Sequence, residues 1–130
     1  MLERFRRAAR RMTITGTLIL LATACASLPP AKPIMDGGVL VGVWKGTLLT
    51  PGASHDYTFT IKDDGTYLGT SPTLRPSTTD GTWRVVDRKA AWRSNATGRT
   101  GTLTLHEGDG RRVLRLVSDD GITAAMTRAQ

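Results

Sequence analysis

Cysteine is almost missing from this chain. Cys25 is the only one, so an internal disulfide framework is excluded. Histidine is nearly as scarce: His55 and His106 stand at no metal-ligand spacing with another donor, and no metal site is expected. His55 and Asp56 are adjacent, and neighbours along a strand point to opposite faces. Serine, histidine and aspartate are all present, but no nucleophile elbow or glycine-rich oxyanion loop joins them. The glycines form no phosphate loop ahead of a helix. Neither an enzyme nor a cofactor is expected. Helical periodicity is lacking over any ten residues, which leaves strands as the building material. A membrane-spanning run is lacking too. The uncharged stretch from Met12 to Cys25 would measure roughly 21 Å as a helix. A bilayer core of about 30 Å needs about 20 residues.

What the chain has in excess is positive charge, a formal +7, and its distribution decides its meaning. Residues 1–24 hold Arg4, Arg6, Arg7, Arg10 and Arg11 against the single acid Glu3. The remainder carries only about +3, a mildly basic solvated surface and not the footprint of a nucleic-acid binder.

The same 24 residues have the three regions of a secretory signal: a basic start, an apolar run from Thr13 to Leu21, and small residues at Ala22, Thr23 and Ala24. Ala22-Thr23-Ala24-Cys25 resembles the bacterial lipobox, with alanine in place of leucine three positions before the cysteine. The resemblance implies that Cys25 takes a diacylglyceryl group, that the signal is cut before it, and that the new amino terminus is acylated. Two or three acyl chains anchor stably where one is marginal. Ala26, where family members kept at the inner membrane have aspartate, implies the outer membrane, with the domain facing the periplasm. The expected organisation is thus a signal at 1–24, a lipidated cysteine and flexible tether at 25–38, and a β domain at 39–130. Extended proline-rich chain would set that domain about 30–40 Å from its lipid.

From Val39 onward, short alternating runs are separated by turn chemistry. Tyr57, Phe59 and Ile61 alternate with Thr58, Thr60 and Lys62, the period of a half-buried strand. Asp63-Asp64-Gly65, Asp80-Gly81, Gly108-Asp109-Gly110 and Asp119-Asp120-Gly121 read as turns, and so account for their paired carboxylates without calcium. Eight strands are predicted, at about 39–49, 55–63, 66–70, 81–87, 89–95, 101–107, 111–118 and 122–128. The longest connection, Ser71 to Asp80, carries Pro72 and Pro76. Such a run of hairpins predicts an all-β fold, a small antiparallel up-and-down β-barrel, because closure removes exposed strand edges. The inward set would be Leu40, Trp44, Leu48, Tyr57, Phe59, Ile61, Tyr67, Trp83, Val85, Trp92, Leu103, Leu105, Leu114, Leu116, Ile122, Ala124 and Met126. Eight strands leave an interior that side chains fill or that holds one small ligand, and both outcomes stay open. If a ligand is held, Trp44, Tyr57, Phe59, Tyr67, Trp83 and Trp92 are the candidate lining.

Gly42-Val43-Trp44 resembles the G-x-W signature of lipocalin-like barrels, the calycins. The resemblance implies that Trp44 closes one barrel end and that a basic residue late in the last strand, here Arg128, packs across it. The chain is much shorter than true lipocalins, without their long first loop. Two surface features complete the reading. Val39, Val41 and Val43 form an outward apolar strip, to be covered by Ile34 and Met35 or by a partner. Arg84, Arg88, Lys89, Arg93, Arg111 and Arg115 form an outward basic series facing solvent or an anionic envelope component. The expected function is an envelope-anchored, non-catalytic barrel that binds a small apolar molecule or envelope component. The alternative is a protein-interaction module, an assembly factor or an inhibitor of an exported hydrolase.

Overall fold

The computed structural model describes residues 27–129. The signal segment and Cys25 lie outside the described residues. Nine strands follow in order: β1 (Ala31–Lys32), β2 (Gly42–Thr50), β3 (Ala53–Ile61), β4 (Thr66–Thr70), β5 (Thr78–Val86), β6 (Lys89–Ser94), β7 (Thr100–Gly108), β8 (Arg111–Ser118) and β9 (Thr123–Arg128). From β2 to β9 each strand pairs antiparallel with the next, and β9 returns to β2 with Trp44 opposite Arg128 and Leu48 opposite Ala124. The result is a closed eight-stranded up-and-down barrel. Among the described residues no helix is long and apolar enough to cross a membrane.

Local chemistry sets the strand limits. Asp87 and Arg88 have φ of 51° and 65°, Asp109 and Gly110 of 51° and 72°. Two successive residues of positive φ give the hairpin turn whose twist matches the flanking strands. The first barrel strand starts at Gly42 and not at 39, because the Asp36 carboxylate accepts the Gly38 N–H at 2.9 Å and winds Gly37–Leu40 into a 3-10 turn. β5 begins at Thr78, which shortens the expected long loop to Ser71–Ser77.

Residues expected as tether belong to the barrel from Pro29 onward. β6 covers β7 only from Thr100 to Leu103, and the rest of that edge is open. β1 pairs there, Lys32 opposite Leu105 and Ala31 opposite His106. The His106 Nδ1 stands 2.9 Å from the Pro29 carbonyl, and Glu107 N–H donates to Pro30. Ile34 then turns inward, 1% exposed, with its N–H on the Arg88 carbonyl. Burying a side chain of this size contributes about 1.5–3 kcal/mol, enough to hold a short strand in place. Ile34 therefore enters the core, and Val39 packs partly buried against that core from the 3-10 turn. Of the expected outward strip only Val43 is prominently exposed, while Met35 stays 77% exposed.

The core follows the inward parity of the strands, with three corrections. Trp83 and Ile122 are only partly buried and Val85 is 37% exposed. Trp83 and Val85 have inward parity but lie in the second half of β5, and Ile122 stands just before β9 at the mouth. Val113, Ala90 and Ile34 are buried as well.

Candidate functional site

The barrel has two unlike ends. Where the chain enters, Trp44 is fully buried and its Nε1 donates to the Leu40 carbonyl at 2.9 Å. The Arg128 guanidinium lies 4.6 Å from the Trp44 ring centroid, and donates to the Val41 and Val39 carbonyls at 2.8 and 2.6 Å. Trp83 shares this end, its Nε1 donating to Lys62 and Thr66 carbonyls at 3.0 and 3.1 Å. A Cβ on Gly37 would meet the Trp83 ring at 2.9 Å, so the 3-10 turn packs closely against that indole. Both indole N–H groups and the Arg128 guanidinium are paired here, and the fully buried Trp44 and Leu40 fill this closed end.

At the opposite mouth a cavity of about 110 Å³ opens between Leu48, Tyr57, Phe59, Tyr67, Trp92 and Leu116, with Leu74, Arg99 and Ile122 at its rim. Four of the six candidate lining residues thus meet here. Trp44 and Trp83 do not, because their strand positions place them at the closed end. The rings form a chain: Tyr57 and Phe59 at 6.0 Å, Phe59 and Tyr67 at 4.8 Å, Tyr67 and Trp92 edge-on at 6.2 Å.

Glycines on neighbouring strands make room for that chain. A Cβ on Gly81 would come within 2.7 Å of the Tyr67 ring, and one on Gly101 within 2.6 Å of the Trp92 ring. Gly69 stands in the same relation to the Tyr57 hydroxyl. Each of these three rings therefore lies over a glycine of a neighbouring strand, a relation visible only once the register is known.

The polar groups of the mouth differ from one another in a telling way. Burial pushes the Tyr57 hydroxyl above its usual value, against a hydrogen bond to Thr79. Burial, then the neighbouring Tyr57, pushes Tyr67 up to about 12, and its bond to Ser94 opposes this. Both phenols stay neutral donors at any ordinary pH. Ser118 donates to Asp120 and accepts the Ile122 N–H, which holds the β8–β9 turn. Arg99 Nε closes the rim on Asp120 at 3.0 Å. The buried Trp92 Nε1 is different: among the described residues it is the one buried side-chain nitrogen or oxygen without a hydrogen-bond partner.

The histidines hold loops. His55 bridges Thr50 and Thr73, at 3.2 and 2.7 Å, and pins the Ser71–Ser77 loop beside the mouth. His106 holds Pro29 as described. Among the described residues no three of His, Cys, Asp and Glu gather closely enough to hold a metal. The basic series Arg84, Arg88, Lys89, Arg93, Arg111 and Arg115 is exposed, and none of it enters an ion pair among the described residues. Compared with protein-family models and with curated proteins, the chain matches none.

Proposed function

We propose that this protein is an envelope lipoprotein, anchored through Cys25, whose barrel binds a small, mainly apolar molecule carrying one hydrogen-bond acceptor. The unpaired Trp92 Nε1 carries the reading. A buried donor left unsatisfied costs roughly 1–3 kcal/mol, so an acceptor on a molecule in the cavity that Trp92 lines gains by pairing with it. The walls are otherwise apolar and aromatic, with hydroxyls from Thr79, Ser94 and Ser118 near the rim. Size limits the ligand. An engineered cavity of about 150 Å³ takes a benzene ring, and this one, at about 110 Å³, is smaller. A short branched or linear chain with a carbonyl, ester or ether oxygen fits better than a long acyl chain.

Titration with a short methyl ketone and with the alkane of equal length tests the pairing, read by tryptophan fluorescence. The ketone should bind about 2- to 10-fold more tightly, the worth of one hydrogen bond. Trp92→Phe should remove the difference and leave alkane binding in place. Native mass spectrometry of protein from its own host should show a retained small molecule. Absence of any retained molecule, with no response to either probe, overturns the binding reading. For the anchor, the mature wild-type protein should carry diacylglyceryl and acyl mass on Cys25, and Cys25→Ala should release it from membranes. An unmodified cysteine overturns that part.

A further inference from the structure

Five large apolar side chains are prominently exposed among the described residues: Met35, Val43, Leu49, Val85 and Val86. Only Leu49 is at the mouth; the other four are at the end where the chain enters. Three of these belong to neighbouring segments. Val85 and Val86 end β5, and Ile34, the residue before Met35, is bonded to the Arg88 carbonyl in the following turn. A Cβ on Gly37 would lie 3.5 Å from Val85, which fixes the 3-10 segment beside it. Arg84, Arg88 and Lys89 flank the same spot, exposed and without an ion pair among the described residues. Asp87 and Asp36 are the nearby acids, and the Asp36 carboxylate already serves the Gly38 N–H.

Arg88 is also placed at a cost. Its φ of 65° is a left-handed value where glycine is at ease and a long side chain is not. The Asp87-Arg88 turn is one in which Asp-Gly is the favoured pair. An exposed turn keeps a strained arginine where glycine would fit better, which points from an observed outlier toward a use.

The length of chain outside the structure names the partner. Pro29 is held on β7 by His106, and Cys25 precedes it by four residues. Four residues reach at most about 14 Å, whereas a nine-residue strand is about 30 Å long. Docking of the supposed tether has used up most of the expected spacer. A chain anchored at Cys25 therefore keeps the closed end at the lipid and the mouth turned away.

We infer that the β5–β6 turn, with Met35, Val85 and Val86 flanked by Arg84, Arg88 and Lys89, docks on an anionic lipid headgroup surface. Apolar tips enter the interface while basic side chains meet the headgroups. The mouth with its Trp92 donor then faces the aqueous side. This rests on the proposed anchoring at Cys25.

The test uses the full mature, acylated protein in vesicles of phosphatidylcholine alone and of equal parts phosphatidylcholine and phosphatidylglycerol. Backbone hydrogen exchange is followed in the β5–β6 turn and, as an internal control, in the Asp119–Gly121 turn at the mouth. Anionic vesicles should slow exchange in the first turn by about fivefold, the fold-change for one basic contact, and leave the second unchanged. Arg88→Gly should keep or raise the thermal midpoint, because Asp-Gly suits the turn, and should weaken the slowing. Equal exchange on both vesicles, or slowing in Arg88→Gly as strong as in the parent, overturns the docking face while the anchor stands. Failure of the mature protein to associate with either vesicle overturns the anchoring reading and this inference with it.

Discussion

Trp44 and Trp92 are both buried indoles in one small barrel, and their surroundings differ. Trp44 donates to the Leu40 carbonyl, is capped by Arg128, and sits against an end filled by Ile34 and Leu40. Trp92 is 7% exposed, lines a cavity, and donates to nothing among the described residues. One end of the barrel is finished as structure and the other is left open with an unspent donor. On the proposed function, stability and binding are thereby separated along the barrel axis. The contrast also explains why the chain tolerates a cavity in so short a fold: cross-strand pairing is complete around the barrel and the closed end supplies packing that the mouth lacks.

The comparison is broken most sharply at the closed end. Trp44→Ala should cost about 3–5 kcal/mol in urea unfolding, because it empties a packed volume and strands the Leu40 carbonyl. Trp92→Phe should cost far less, since it also removes an unpaired N–H. Next comes Ile34→Ala, at about 2–4 kcal/mol. A residue in a free tether would cost nothing, so the size of this loss measures how far the entering segment belongs to the fold. Gly101→Ala should cost about 1–3 kcal/mol by forcing a methyl into Trp92 and the facing Val117 carbonyl. It should also weaken ligand binding, whereas Ile34→Ala should weaken binding only as far as it unfolds the chain.

The last effect is an alkaline one. Tyr67 is raised by burial to about 12, above the usual phenol value of about 10. Folding favours the protonated phenol, so this contribution is fully present below about pH 10 and is lost as pH rises toward 12. Phenolate absorbance should therefore appear later in the folded protein than in the urea-unfolded chain, and the midpoint of unfolding should fall across the same window.

Much of the barrel was legible because its strands alternate strictly and its turns use Asp and Gly, which is local chemistry. Tyr57, Phe59 and Ile61 show their parity without help from the rest of the chain. Three things were not local. Ile34 is one apolar residue in a proline-rich stretch, and its burial depends on the edge of β7 left free by the short β6, some seventy residues later. Trp83 has the right parity but a position near the strand end, which alternation does not encode. The cavity depends on how Tyr57, Tyr67 and Trp92 lie over Gly69, Gly81 and Gly101, a matter of register between strands. Four of the six candidate lining residues do face the mouth, because parity selects inward residues. It does not say which end each one serves.

Indole ¹⁵N–¹H spectra recorded while a short methyl ketone is added test the central contrast in one sample. The Trp92 cross-peak should move progressively as its N–H gains an acceptor. Those of Trp44 and Trp83, already bonded to backbone carbonyls at the other end, should stay in place. Movement of Trp44 or Trp83 with Trp92 fixed, or no movement of any indole at saturating ketone, would contradict the account.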